Sequence, residues 1–509
     1  MQKPKMFFLA ETLDFEKSSL AFETIKQASL FAARGFETTL LSFDFNGFYP
    51  LLRSEIYLQT SLDKRVSIRN MHEELAGYSR PSLVKKEMPV FDVAIFEEQG
   101  HIDKISDSIY EIKSRGKVVK RIILGKTGTL AQIQYMEDPF RCYREDYNPW
   151  GKLKRKTYIG ATMDERRQEI YYNKKGKAYM SIWYDRFTGE FDRAHLLNDK
   201  GMIIKEFSKS AARLKANWLN KMLEGADRPV TVSNSRETDE ILREVAFKDV
   251  AKIMRLNNLS KTGDGELNDD LAMQDFSEFD GFFLHSETEK IELGRKYGNE
   301  DKMYVVPHCP RQDRRLFRLF KRRKKDKRLA VGLMYQSKKT DYRLIMTAFQ
   351  LVYMQDAAVR LHLHGRESDK PHFQKLQKDL GLQEVTDFST IVVQESKICE
   401  QALFSIIISS DGEGILPAME SMSVETPVIG VCSKKSNMQS GIVENGHTGY
   451  IMENSNVYAL AEKMAYMYRN PSSCMEMGVN ARRHIRRHYN EDQCARKWEA
   501  FIEEIVGDN

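Results

Sequence analysis

Residues 6–10 (MFFLA) form an unbroken apolar run, and residues 37–44 (ETTLLSFD) form a second strand-like stretch. Between them, Leu20, Ile25, Ala28, Leu30 and Phe31 recur at helical spacing across residues 18–34. Strand, helix and strand in that order predict a βαβ unit and therefore a parallel sheet.

From about residue 85 to about 207 the pattern changes. Short alternating runs are separated by tight turns at Asn173-Lys174-Lys175-Gly176, Thr188-Gly189 and Asn198-Asp199-Lys200-Gly201. The run 177–184 (KAYMSIWY) is rich in aromatic and strand-forming side chains. This is an antiparallel meander inserted into an α/β domain. Its aromatics Tyr171, Tyr179, Trp183 and Tyr184 either fill the meander's core or anchor an interface.

The α/β pattern returns near residue 208. Strands are expected at 229–233, 281–286 and 304–308, with helices at 237–245 and 287–296. A second α/β series starts at 329–333. It continues with helix 341–354, strand 360–364, helix 370–380, strand 403–409, helix 416–423 and strand 427–432. Helices 457–468, 472–488 and 490–506 follow. The predicted organisation is a first Rossmann-like domain from residues 1–85 and 207–310, interrupted by a β-rich insertion at 86–206. A basic linker at 311–328, a second Rossmann-like domain at 329–489 and a C-terminal helix at 490–509 complete it. Two doubly wound domains with a cleft between them place ligands at the carboxyl ends of the strands.

A chain of 509 residues is too long for one core, which agrees with several domains. No apolar run approaches the ~20 residues that span a bilayer, and the apolar start runs straight into Glu11. The six cysteines are scattered, without CxxC and without histidine at ligand spacing. That favours reduced thiols in a cytoplasmic protein and argues against a zinc site. Net charge is +6, concentrated in residues 311–328 (RQDRRLFRLFKRRKKDKR). This run reads as a solvated linker, or as a docking site for a phosphate polymer, acidic headgroups or an acidic partner. Phe317 and Phe320 among the basic residues suit a peripheral contact with the inner face of a membrane. Nucleic acid is not expected, because no reading module surrounds the run.

Candidate chemistry centres on Ser409-Ser410-Asp411-Gly412-Glu413-Gly414-Ile415-Leu416-Pro417-Ala418-Met419-Glu420, followed by 426–430 (TPVIG). It reads as strand, Gly-rich turn, helix and strand. Backbone N–H groups at such a helix start can face a diphosphate, while carboxylates take sugar and ribose hydroxyls.

The ordered elements VGLMYQSKK, LHLHG, DGEGILPAMES, TPVIG and NGHTGYIM resemble the second domain of family 4 retaining glycosyltransferases with the GT-B fold. In the first half, ETLDFEKSS, LLSFDFNGFY, GKAYMSIWYDRFTGE, TVSNSRETDEIL and YVVPH resemble the poly(glycerol- or ribitol-phosphate) glycosyltransferases of wall teichoic acid. They also resemble related transferases of Gram-positive bacteria that glycosylate surface proteins, in some cases as paired subunits. The resemblance implies a UDP-sugar, UDP-glucose or UDP-GlcNAc, held without metal or other cofactor. It also implies hetero-oligomerisation with a sister transferase, or self-association through the β-rich insertion.

Set against that family, the donor site of this chain is altered. Ser18 and Ser19 stand where the family has a Gly-Gly turn, and serine makes close backbone approach to a ligand harder. Residues 253–260 lack the family's histidine and offer Asn257 and Asn258 instead. Gln336 stands at the expected arginine, and Lys338 or Lys339 fills the lysine position unless the pair is plain surface. Six residues separate Glu413 from Glu420, one fewer than in the family, with Gly414 between them. One missing residue turns a helical side chain by ~100°. Glu420 is the stronger candidate for ribose hydroxyls and Glu413 the weaker for the sugar. Two readings follow. One is a glycosyltransferase-fold subunit with little or no catalysis that stabilises an active sister or holds the acceptor. The other is an active retaining transferase moving glucose or GlcNAc from UDP to a polymer or protein hydroxyl.

Overall fold

The computed structural model describes residues 3–14, 20–60, 62–78, 87–125, 127–136, 142–160, 165–256, 276–285, 287–306, 325–334, 338–390, 398–409, 415–432, 442–452 and 456–507. The chain divides into two compact units. One comprises Met1–Leu13 and Glu37–Val250, and the other comprises Asp14–Phe36 and Ala251–Asn509.

In the first unit, β1 (Met6–Ala10), β2 (Thr38–Ser42), β3 (Ser67–Asn70) and β14 (Val230–Ser233) are parallel and ordered β14-β1-β2-β3. Leu9 lies opposite Ser233, and Ser42 opposite both Ala10 and Asn70. Every residue of β1, β2 and β14 is buried, and β1 accordingly reads as a continuous apolar run rather than an alternating strand. Helices α2 (Tyr49–Gln59), α3 (Met71–Leu75), α4 (Ala211–Leu223) and α5 (Arg236–Arg243) belong to this unit.

The insertion is one antiparallel sheet of ten strands in sequence order: β4 (His101–Lys104), β5 (Ile109–Ser114), β6 (Lys117–Leu124), β7 (Leu130–Tyr135), β8 (Tyr143–Tyr147), β9 (Leu153–Ile159), β10 (Arg166–Tyr172), β11 (Ala178–Tyr184), β12 (Phe191–Leu197) and β13 (Ile203–Ser208). Its hairpins repeat one device. In the turns 148–151, 173–176 and 198–201, the Asn side-chain Oδ1 accepts two backbone N–H groups at 2.9–3.1 Å and the closing glycine is left-handed. A β-carbon at those glycines would strain the turn. The first strands bury Ile112, Ile122 and Ile133 around Phe96 of the short 3₁₀ helix Val93–Gln99. The later strands bury Tyr171, Tyr179, Met180, Ile182, Ala194, Leu196 and Phe207 with Ala76 and Leu214. Tyr171 and Tyr179 are therefore core residues, while Trp183 and Tyr184 are half-buried.

The second unit contains α1 (Leu20–Ala33), the parallel strands β15 (Ala251–Arg255), β16 (Gly281–Leu284) and β17 (Met303–Val305), and α6 (Glu287–Tyr297). It also holds a six-stranded parallel sheet of β18 (Asp326–Leu333), β19 (Arg360–Gly365), β20 (Thr386–Thr390), β21 (Ala402–Ser409), β22 (Val428–Cys432) and β23 (Gly449–Met452). Their order is β20-β19-β18-β21-β22-β23. Helices α7 (Lys339–Tyr353), α8 (Lys370–Asp379), α9 (Ile415–Ser423), α10 (Val457–Arg469) and α11 (Pro471–His488) accompany it. The last helix, α12 (Glu491–Gly507), packs Trp498 against Phe31 and Phe283, and Phe501 against Tyr304. No helix among the described residues is long and apolar enough to cross a membrane.

Candidate functional site

Parallel strands gather ligand chemistry at their carboxyl edge, and in the second unit that edge carries charge. β15 ends on Arg255, whose side chain is buried. Its Nε donates to His285 Nε2 at 3.1 Å, its Nη2 pairs with Glu23 of α1, and the Phe283 ring lies 5.9 Å away. His285 follows β16, and its Nδ1 meets the Val306 carbonyl at 3.0 Å. A carbonyl can only accept, so Nδ1 carries the proton. Nε2 accepts from Arg255, so the ring is neutral. Arg255 Nη1 is buried with no hydrogen-bond partner among the described residues.

One turn further along α1, Lys26 reaches α9. There Glu420 is 3% exposed and pairs through Oε1 with Lys26 Nζ. The ammonium also lies 4.2 Å from the Phe22 ring centroid. A carboxylate taken this far from water needs such a partner. Residues three apart share a helix face, so α1 offers Glu23 to Arg255 and Lys26 to Glu420 from one side.

Of the residues singled out in the sequence, Lys338 and Lys339 are exposed at the start of α7. Lys338 is its N-cap, and its backbone N–H donates to Asp341 Oδ2 at 2.7 Å. The helix begins earlier than its apolar spacing predicts, so the pair sits at a helix N-terminus rather than on a plain loop. Glu420 is the third described candidate, and Lys26 already engages it. Ser18, Ser19, Asn257, Asn258, Gln336, Glu413 and Gly414 lie outside the described residues, as does 311–324 of the basic run.

Further polar groups at strand ends escaped the sequence reading. His364, in β19 opposite Leu333, is buried with Nδ1 unpartnered among the described residues. Burial, with a smaller contribution from the stacked His362, pushes its imidazole down to about 3. In the first unit Asn234 follows β14, 2% exposed, and neither amide atom has a partner among the described residues. Nearby, burial pushes the Asp239 carboxyl up to about 7, although Ser233 Oγ donates to it. Arg255 and His285 had a usable signal: a charged or polar residue closing an apolar strand, as in AKIMR and GFFLHS. Glu23 and Lys26 had none beyond their place on an ordinary amphipathic helix.

The paired Rossmann-like sheets with an antiparallel insertion are the GT-B fold of glycosyltransferases. Residues 295–484 match the family model described as Glycosyl transferases group 1. Across its length the chain is 20% identical to a poly(ribitol-phosphate) alpha-N-acetylglucosaminyltransferase of Staphylococcus aureus (strain COL), covering 97% of this chain and 98% of that protein. Among solved structures it resembles an S. aureus TarM mutant in complex with Fondaparinux, alpha-GlcNAc-glycerol and UDP. That match has a TM-score of 0.76 and 16% identity, over 98% of this chain and 100% of the other. It also resembles the pneumococcal O-GlcNAc transferase GtfA in complex with UDP and GlcNAc (TM-score 0.70, 12% identity, 99% of each chain). A chain of the Gap123 complex from Streptococcus agalactiae is similar as well (TM-score 0.64, 13% identity, 99% of this chain and 100% of that one).

Proposed function

We infer that this chain is a glycosyltransferase-fold subunit of a bacterial cytoplasmic glycosylation system, with weak or no catalysis of its own. It stabilises an active sister transferase or holds the acceptor, a surface protein or a teichoic-acid-type polymer. The observation that carries this reading is the Lys26–Glu420 pair. The carboxylate best suited to ribose hydroxyls is buried and engaged by a cation of the same chain. A UDP-sugar using that carboxylate has to compete with a desolvated ion pair. The altered family positions at Ser18-Ser19, residues 253–260 and Gln336 point the same way. One similar protein is a poly(ribitol-phosphate) transferase and another an O-GlcNAc transferase, and the Gap123 complex is the precedent for assembly.

One observation favours the active reading, in which glucose or GlcNAc moves from UDP with retention and without metal. Lys338 and Lys339 stay exposed at the N-terminus of α7, where cations and helix dipole together suit a diphosphate. The test is a turnover assay of the purified chain with UDP-GlcNAc and UDP-glucose, against poly(ribitol phosphate) and an acceptor protein. The helper reading expects no product until a sister transferase is added. Product from this chain alone contradicts it.

A further inference from the structure

The exposed side of α11 is a cluster of arginines. The helix buries Cys474, Met477, Gly478, Ala481 and Ile485 along one side, and Ala481 and Ile485 lock it into the core of the second unit. At 100° per residue, Arg483, Arg486 and Arg487 fall within one arc of ~100° on the opposite side. All three are exposed. After Glu476 the helix holds no acidic residue. Carboxylates of neighbouring segments are engaged by other cations. Glu425 accepts from Arg482 Nη1 at 2.8 Å, and Glu444 lies 3.2 Å from His484 Nδ1. Arg483 donates to the Asn480 side-chain oxygen at 3.1 Å, an uncharged partner. A helix C-terminus favours cations only over its last turn, and Arg483 stands before that turn.

We propose that this face of α11 docks the protein peripherally on a membrane of anionic phospholipid. Charge complementarity selects the occupant. Guanidinium groups pair bidentately with the phosphodiester oxygens of headgroups. Each cation held at an acidic leaflet strengthens association about fivefold, so three together give about a hundredfold. A protein interface centres on buried aromatic or aliphatic anchors, and among the described residues α11 exposes no large apolar side chain. A threaded polyanion needs a groove, whereas the exposed side of a helix is convex. The contact is with the membrane surface, because no described helix is long and apolar enough to cross it. The inference does not depend on whether the chain turns over.

The full-length chain is sedimented with vesicles of phosphatidylcholine and phosphatidylglycerol in equal parts, and with vesicles of phosphatidylcholine alone. Three further forms are compared: Arg483→Gln alone, the triple Arg483→Gln, Arg486→Gln and Arg487→Gln, and a reference triple in the basic run, Arg322→Gln, Arg323→Gln and Lys324→Gln, which removes the same charge elsewhere. The wild type should bind the phosphatidylglycerol vesicles in preference, and high salt should abolish the preference. The α11 triple should weaken that binding about a hundredfold, and Arg483→Gln about fivefold. The single change serves if the triple does not fold. Wild type that ignores phosphatidylglycerol, or undiminished binding by the α11 variants, overturns the proposal. So does an equal loss in the reference triple, which would trace the effect to net charge rather than to this face. Loss of poly(ribitol phosphate) binding in the α11 triple with vesicle binding intact would give the face to a polymer and overturn membrane docking. The turnover assay contains no vesicles, so its outcome and this one fail separately.

Discussion

Lys26 and Glu420 stand 394 residues apart in sequence and meet as a buried pair. Removing one partner of such a pair leaves an uncompensated charge, whereas neutralising both restores balance. Lys26→Ala should lower unfolding free energy by about 3 kcal/mol, and Lys26→Ala with Glu420→Gln should recover most of it. Denaturant titration of the four forms is the check, and a neutral Lys26→Ala would show that the pair does not stabilise the fold. Asp239 makes a second residue-scale prediction. Its carboxyl is pushed from an ordinary 3.8 up to about 7 by burial. Between those values the unfolded chain has released a proton that the folded chain keeps, so stability falls as pH rises from about 4 to about 7. Asp239→Asn should flatten that fall, seen as a higher melting temperature at pH 8 than the parent and little difference at pH 4. Parallel melting curves for the two proteins would remove Asp239 as the cause. Sequence reading reaches residues of this kind unevenly. Glu420 was legible because it lies in a recognisable strand–turn–helix segment. Lys26 was not, because a lysine on an amphipathic helix looks like surface until the fold brings a carboxylate to it.

Elements with strong periodicity were read well: β1, β2, the ten-stranded meander, and the helices and most strands after residue 329. Strand β3 (SIRN) was missed because it is four residues long, with only Ile68 apolar. The Asn-to-Gly turns at 173–176 and 198–201 explain why the meander was legible, since they mark strand ends locally without tertiary information. Cross-strand chemistry was not legible. Arg155 of β9 pairs with Asp146 at 2.8 Å and Glu169 at 3.1 Å, while the Tyr171 and Tyr184 hydroxyls donate to Glu169 at 2.6 and 2.7 Å. Arg155→Ala leaves two buried carboxylates and should cost about 3–5 kcal/mol, measured by urea unfolding; a change under about 1 kcal/mol would mean water replaces the guanidinium. The assembly reading can be placed on the insertion more narrowly than its aromatics allowed, because Tyr171 and Tyr179 are core. β13 ends the strand order and exposes Ile203 and Ile204, next to exposed Met202. A strand edge with consecutive exposed apolar side chains is prone to pairing. Ile204→Lys should weaken sister binding or self-association at least about tenfold, by light scattering, without shifting the melting temperature. An unaltered mass would count against this edge.

For the whole molecule, the succession of parallel α/β, antiparallel meander and parallel α/β was visible because each part has its own hydrophobic period. The state of the donor-binding groups was not, because it depends on which side chains the completed fold pairs with one another. We propose that Lys26 withholds Glu420 from nucleotide. Calorimetric titration of the wild-type chain and Lys26→Ala with UDP-GlcNAc tests it most directly. The wild type should show no micromolar binding, and affinity should rise about tenfold or more once Lys26 is removed. Micromolar binding by the wild type that is lost in Glu420→Gln, or no gain in affinity in Lys26→Ala, would contradict it.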